Sequence, residues 1–257
     1  MILTSSDQVI INFDPFTTIT QQQHQLGTLI ELADRRAFRF SRSGAAALAA
    51  GQIATAPIQK PNHQSVAVQA AVLLGATFVN LTLGATASVD QEYAEGLLVI
   101  GGGSGAGRQY RIGQQNPTAS AGIQTVVTTD QIQAALTTGS TASLVHNGYN
   151  QTVVTTTQTI RPSGVPITLV PATASTPSAG LAYIPQHYWG QTRGVAPVLN
   201  DSAIPLGSTL TLSSTTAGAV TSMSTTYTTA LLTPKIGEMD IKVGISGNYE
   251  PVLLSID

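Results

Sequence analysis

Short β-branched or apolar runs recur along this chain, and turn-forming residues close almost every one. Val66-Ala67-Val68, Phe78 to Leu83, Leu97 to Ile100, Val126-Val127, Leu144-Val145, Val153-Val154, Ile167 to Val170 and Leu210 to Leu212 are such runs. Gly75, Gly84, Asn147-Gly148, Pro162-Ser163-Gly164, Pro171, Pro185, Pro197, Pro205 and Gly207 punctuate them. Runs this short suit strands, and turn signals at this spacing predict a mainly β fold: an antiparallel β-sandwich or one or more barrel-like domains. The closing stretches, Met239 to Ile245 and Tyr249 to Ile256, predict strands that tie the end of the chain into a sheet. Two segments break the rhythm. Thr129 to Leu136 has a helical look, with Thr129 or Asp130 as N-cap, and the alanine-rich Ala45 to Ala50 predicts one or two helical turns before Gly51. The Thr/Ser/Ala tract from Thr215 to Thr229 fits an exposed loop or a pair of β-branched strands equally.

The lone tryptophan marks a second constraint. Trp189 follows His187 and Tyr188 within Tyr183 to Val198, and Gly190 and Gly194 bracket Gln191-Thr192-Arg193. Glycine inside a strand marks a bulge or a bend. A buried ring of this size removes roughly 150–250 Å² from water. Tyr188, Trp189, Gly190, Arg193 and Gly194 are therefore expected to form a structural keystone, a strand entering a corner anchored by rings. Residues 1–23 are expected to form an extended N-terminal arm. Residues 24–257 form the β-rich region, with room for two subdomains divided near 115–140. The arm carries Phe13 and Phe16, which either dock on a neighbouring subunit or belong to an unfolded terminus. Arg35, Arg36, Arg39 and Arg42 crowd around Phe38 and Phe40. They suit an anchor on an acidic partner through bidentate carboxylate contacts, or a solvated strand face beside a turn.

Composition narrows the function. The 257 residues can bury a substantial core, yet only 9% are charged, against roughly 25% in ordinary soluble domains. A net charge of −2 and three lysines give no basic stripe for nucleic acid. Weak colloidal repulsion favours association, as in an assembly component. Without cysteine there is neither a disulfide framework nor a thiolate zinc site. The N-terminus lacks the basic start and apolar run of a signal peptide. Gln64 to Val89 is uncharged and long enough to span a bilayer, but Gln69, Thr77, Asn80 and Thr82 interrupt it, predicting two buried strands around Gly75.

The reactive side chains offer no constellation. His24, His63, His146 and His187 are widely separated, none at metal-ligand spacing, so each is expected to be a satisfied surface or core histidine. Asp90, Glu92 and Glu95 crowd one polar turn beside Gly96, where a glycosidase would need two acids across a sugar. A solvated turn is expected there, with a weak calcium site as the alternative. Gly101 to Gly107 follows the strand Leu97 to Ile100, but a dinucleotide loop needs a helix next. Arg108 to Ile112 alternates like a strand instead, so these glycines predict a hairpin loop. Ser104 lacks a nucleophile elbow because Ala106 stands where glycine is needed. No catalytic, cofactor-binding or metal residue is assigned, and the chain is not expected to be an enzyme.

Several stretches together resemble auxiliary virion proteins of tailed bacteriophages, some of which are capsid decoration (cement) proteins. They are Gln23 to Thr28, Asp34 to Phe40, Tyr110-Arg111-Ile112, Tyr188-Trp189-Gly190-Gln191-Thr192-Arg193-Gly194, Thr216 to Val220 and Tyr249 to Asp257. The Trp-Gly-Gln-Thr-Arg-Gly stretch is the most specific. The resemblance implies a β-rich homotrimer on the outer surface of an icosahedral head, clamping neighbouring major capsid protein subunits without catalysis, nucleic acid or membrane. The alternative is a carbohydrate-binding head-surface or fibre appendage, in which an exposed Tyr188-Trp189 platform stacks on glycans.

Overall fold

Strand follows strand with hardly a helical turn between them. In the computed structural model, which describes residues 3–5, 8–10, 13–172, 185–223, 233–239 and 243–257, the one helical element is a 3-10 turn, Pro61–His63. The chain begins with β1 (Leu3–Ser5), β2 (Gln8–Ile10), β3 (Leu29–Glu31), β4 (Ala37–Arg42) and β5 (Ala54–Thr55). It continues with β6 (Val66–Val68), β7 (Phe78–Thr82), β8 (Leu97–Gly102), β9 (Gln109–Gln115), β10 (Ile123–Thr128) and β11 (Thr141–Val145). It ends with β12 (Pro162–Pro166), β13 (His187–Leu199), β14 (Thr209–Leu212), β15 (Val220–Ser222), β16 (Gly237–Glu238) and β17 (Tyr249–Ser255). The fold is mainly β and antiparallel. Tyr183, Ile184, Ser224 to Thr229 and Asp240 to Lys242, on which parts of three expected strands or loops fall, lie outside the described residues.

The chain divides into two units: Ile58–Asn150, and Met1–Pro57 with Gln151–Asp257. A boundary between subdomains is expected near 115–140. That stretch lies inside the first of these units, because β10 pairs there with both β7 and β9. The unit is an insertion instead. The chain leaves and re-enters the larger unit at neighbouring positions, where Thr55 and Val153 form an antiparallel bridge.

The inserted unit is a closed barrel in the order β10-β7-β6-β11-β8-β9. Closure leaves no sheet edge to pair with another chain. Period-2 alternation sends Val79, Leu81, Leu98, Ile100, Ile112, Val126 and Leu144 inward, where all are buried. The glycine run forms the β8–β9 hairpin loop. Gly103 adopts φ +73, and a Cβ there would stand 2.5 Å from the Gly139 carbonyl oxygen, so only glycine fits. The expected helix over Thr129 to Leu136 is absent. Ile132 and Leu136 do sit in the core, but their backbone groups bond across the chain: Ile132 N–H to Ala76 O (2.8 Å) and Leu136 N–H to Val72 O (2.9 Å). Groups used in that way cannot also close helical turns.

The larger unit is built on a nine-stranded sheet ordered β15-β14-β16-β17-β13-β12-β5, with β4 also on β13 and β3 on β4. Its longest strand, β13, changes partner along its length. His187 to Arg193 pair with β4, and Arg193 to Leu199 pair with β17. The register shifts between Gln191 and Arg193, a bulge at Thr192. Two residues on, Gly194 turns the strand at φ +84, where a Cβ would come within 2.9 Å of Arg36. Val165, Ala196, Val198, Leu210, Leu212, Val252 and Leu254 form the core. Ala45 to Ala50 is not helical either, since Leu48 bridges Val170. Gln64 to Val89 holds β6 and β7 with Gly75 between them at φ +85. Among the described residues no helix is long and apolar enough to cross a membrane.

Candidate functional site

Three features carry the chemistry of the molecule. The first is a ring cluster in the larger unit. Trp189 is 4% exposed and Tyr188 1%, because β13 lies between β4, β12 and β17. Phe40 meets Trp189 edge to face at 5.1 Å, and Phe13 meets Phe38 at 5.2 Å and Trp189 at 5.3 Å. His24 stands 5.3 Å from Phe40 and 5.5 Å from Trp189, and His187 stacks on Phe40 at 5.6 Å and 5°. The Tyr188 hydroxyl bonds the Thr152 hydroxyl at 2.9 Å. Burial lowers the His24 imidazole below the usual histidine range. Burial also brings His187 down to about 4, with the Arg42 charge adding to it and the bond to Ile19 O opposing it. Buried like this, Tyr188 and Trp189 offer no platform for a glycan, and that expectation is overturned.

Two expectations about the N-terminal region change as well. Phe13 docks on its own chain, since its ring completes the Trp189 cluster, while Phe16 is 66% exposed. The arginines do not form one free patch. Arg36 pairs with Asp34 (2.7 Å), Arg39 with Asp257 (3.1 Å) and with Gly27 O, and Arg42 is buried. Arg35 is left in the turn at φ +67, and Arg193 pairs with Glu31 at 3.2 Å.

The second feature is a polar network inside the barrel unit. Asp90, Glu92 and Glu95 were expected to share a solvated turn, but Glu92 is 3% exposed. The positive φ of Gln91 (52°) and Glu95 (58°) folds the intervening residues inward. Lys60 Nζ lies 2.8 Å from Glu92 Oε1, His146 Nε2 donates to the same oxygen at 3.2 Å, and the Val89 N–H donates to Oε2 at 2.9 Å. Burial alone would raise the Glu92 carboxyl. The bonds from His146, Lys60 and Val89, with the lysine charge, outweigh it and hold the group at about 2. Tyr93 joins the network: its ring stacks on His146 at 4.4 Å and its hydroxyl bonds His63 Nδ1 at 2.5 Å. His63 Nε2 then donates to Thr86 O at 2.8 Å, so Nδ1 is the acceptor. The histidines that look scattered in sequence thus meet in pairs, two at Tyr93 and two at Phe40. Among the described residues no group of three or more histidines and acids could hold a metal ion.

The third feature escaped the sequence reading. On β13 and β17, Val195 faces Leu253, Pro197 faces Pro251 and Leu199 faces Tyr249. This face is turned away from the core that Ala196, Val198, Val252 and Leu254 fill. Val195 is 44% exposed, Leu253 39% and Tyr249 50%. A groove of about 480 Å³ adjoins it, lined by Ala49, Gly51, Ile167, Leu169, Pro197 and Tyr249. None of these residues is charged. A signal was available: a sheet with one solvated face alternates apolar with polar, whereas Val195-Ala196-Pro197-Val198-Leu199 is apolar at every position. Contiguous exposed apolar surface of this kind marks interaction sites. Comparison with protein-family models, with curated proteins and with solved structures finds no match to this chain.

Proposed function

We propose that the chain is a virion structural protein that decorates a tailed-phage head, bridging neighbouring major capsid protein subunits through the β13–β17 face. The observation that carries this reading is that uncharged face, with three cross-strand apolar pairs on the side away from the core, of which Val195, Pro197, Tyr249 and Leu253 are exposed and Leu199 and Pro251 half-buried. A protein with 9% charged residues carries little repulsion to overcome when copies crowd on a lattice. Its resemblance to auxiliary virion proteins points the same way. Copies arranged as trimers on the outer surface would gain from multivalency, since each further contact forms at high effective concentration. The work done is attachment, and no reaction is assigned.

Cosedimentation of the purified chain with heads lacking it tests the reading. The unaltered chain is expected to saturate the heads. Val195→Asp with Leu253→Asp is expected to weaken binding by about thirtyfold or more, the loss of one hot spot, with unchanged circular dichroism. Failure of the unaltered chain to bind heads would overturn the function, and full binding by the double variant would overturn the assigned face.

A further inference from the structure

Residues 13–24 cross the ring cluster as a strap fastened at three points. Phe13 packs on Phe38 and Trp189 at the first. At the second, Ile19 exchanges backbone bonds with His187, Ile19 N–H to His187 O at 3.0 Å and His187 N–H to Ile19 O at 2.7 Å. At the third, His24 packs on Phe40 and Trp189. Between these points Phe16, Thr17 and residues 20–23 are exposed. Two of these three fastenings involve a histidine.

Protonation acts on both. An imidazolium carries N–H on both nitrogens, yet His24 Nε2 is buried with no hydrogen-bond partner among the described residues. A proton there creates a buried donor without an acceptor. His187 is 2% exposed, and the charged side chain facing it is Arg42, its cross-strand neighbour on β4, so a second cation meets a first. Two further charges lie on the same elements. On the strap, Asp14 accepts from the Phe16 N–H at 2.9 Å, and on β4, Arg39 pairs with Asp257. The 3.4 Å bond from His187 Nδ1 to Ile19 O and the stacking on Phe40 favour an imidazolium, but desolvation, the largest effect, together with Arg42 outweighs them.

We propose that residues 13–24 are an acid-released strap, closed over β4 and β13 at neutral pH and freed when His24 and His187 take up protons, which bares the Phe38, Phe40 and Trp189 rings. The sign follows from linkage. Both imidazoles are held below their ordinary range while the strap is docked, so the released state binds more protons between about pH 6.5 and about pH 4. Docking is at full strength above that window and weakens as pH falls through it. Taking up two protons makes the change steeper than one histidine would give.

Trp189, the single tryptophan, reports the strap directly. In the full chain, acrylamide quenching of its fluorescence is expected to rise several-fold between about pH 6.5 and about pH 4, while far-UV circular dichroism holds steady. His24→Gln with His187→Gln cannot take up these protons, and its quenching is expected to stay flat over the same range. Should that variant fail to fold, hydrogen exchange in the unaltered chain decides. The Ile19 and His187 amides are expected to lose protection in acid, after correction for intrinsic rates, before the barrel strands do. A shielded Trp189 down to about pH 4, exposure only together with global unfolding, or an unchanged transition in the double variant would each overturn the strap.

Discussion

Tyr93 in the barrel and Phe40 in the larger unit are each flanked by two histidines, yet the two arrangements behave as opposites. Around Tyr93 the polar atoms other than His146 Nδ1 are bonded: His63 holds both the tyrosine hydroxyl and Thr86 O, and His146 Nε2 donates to a carboxylate that Lys60 also holds. Around Phe40 the imidazoles are held by ring packing and burial, with one long bond of 3.4 Å from His187 Nδ1 to Ile19 O. Hydrogen bonds to the Glu92 carboxylate favour its charged form, whereas burial around His187 only disfavours charge. The first arrangement is a lock and the second a latch. Their acid responses separate accordingly. Glu92, held at about 2, contributes stability at pH above its unfolded value of 4.5, and this is lost as pH falls from about 4.5 towards 2. His187, held at about 4, contributes stability above 6.5 that is lost between about 6.5 and 4.

The largest test of this contrast is Trp189→Ala. It removes the ring on which Phe13, His24 and Phe40 converge, and should cost about 4 kcal/mol in chemical denaturation of the larger unit. A loss under about 1 kcal/mol would mean the cluster collapses around the gap and holds nothing in place. Acid comes next. Lowering pH from about 7 to about 4 should remove up to about 3 kcal/mol from the larger unit through His187, while the loss that Glu92 governs in the barrel sets in only near about 4.5. Equal losses in both units would erase the distinction between lock and latch. Glu92→Gln should destabilise the barrel by about 2 kcal/mol, since Lys60 loses its charged partner but keeps some solvent. Asp257→Ala, read by thermal melting, should cost about 1.5 kcal/mol because it frees Arg39 and the Thr192 hydroxyl at the β13 bulge. Arg193→Ala breaks an exposed pair with Glu31 and should cost no more than about 0.5 kcal/mol.

The strand class was legible in the sequence because its signals are local. Gly101 to Gly107 announced a hairpin, and Gly75 a turn between strands, through conformations that only a few neighbouring residues decide. Barrel closure was not legible, since pairing β6 with β11 joins Ala67 to Thr141 across the whole unit. The Thr129 to Leu136 misreading has a similar cause. Ile132 and Leu136 have helical spacing, but their backbone partners are Ala76 and Val72, far back in the chain. Glu92 looked solvated because its partners Lys60 and His146 lie 32 and 54 positions away. The β13–β17 face could have been found, because a run apolar on both sides, Val195 to Leu199, implies a covered or a sticky surface.

A cryo-electron microscopy reconstruction of heads saturated with the full chain tests the central claim most directly. Density for the chain is expected on the outer surface, with the Val195–Leu253 and Leu199–Tyr249 pairs seated against major capsid protein. Heads without added density, or a bound chain whose β13–β17 face looks out into solvent, would contradict it.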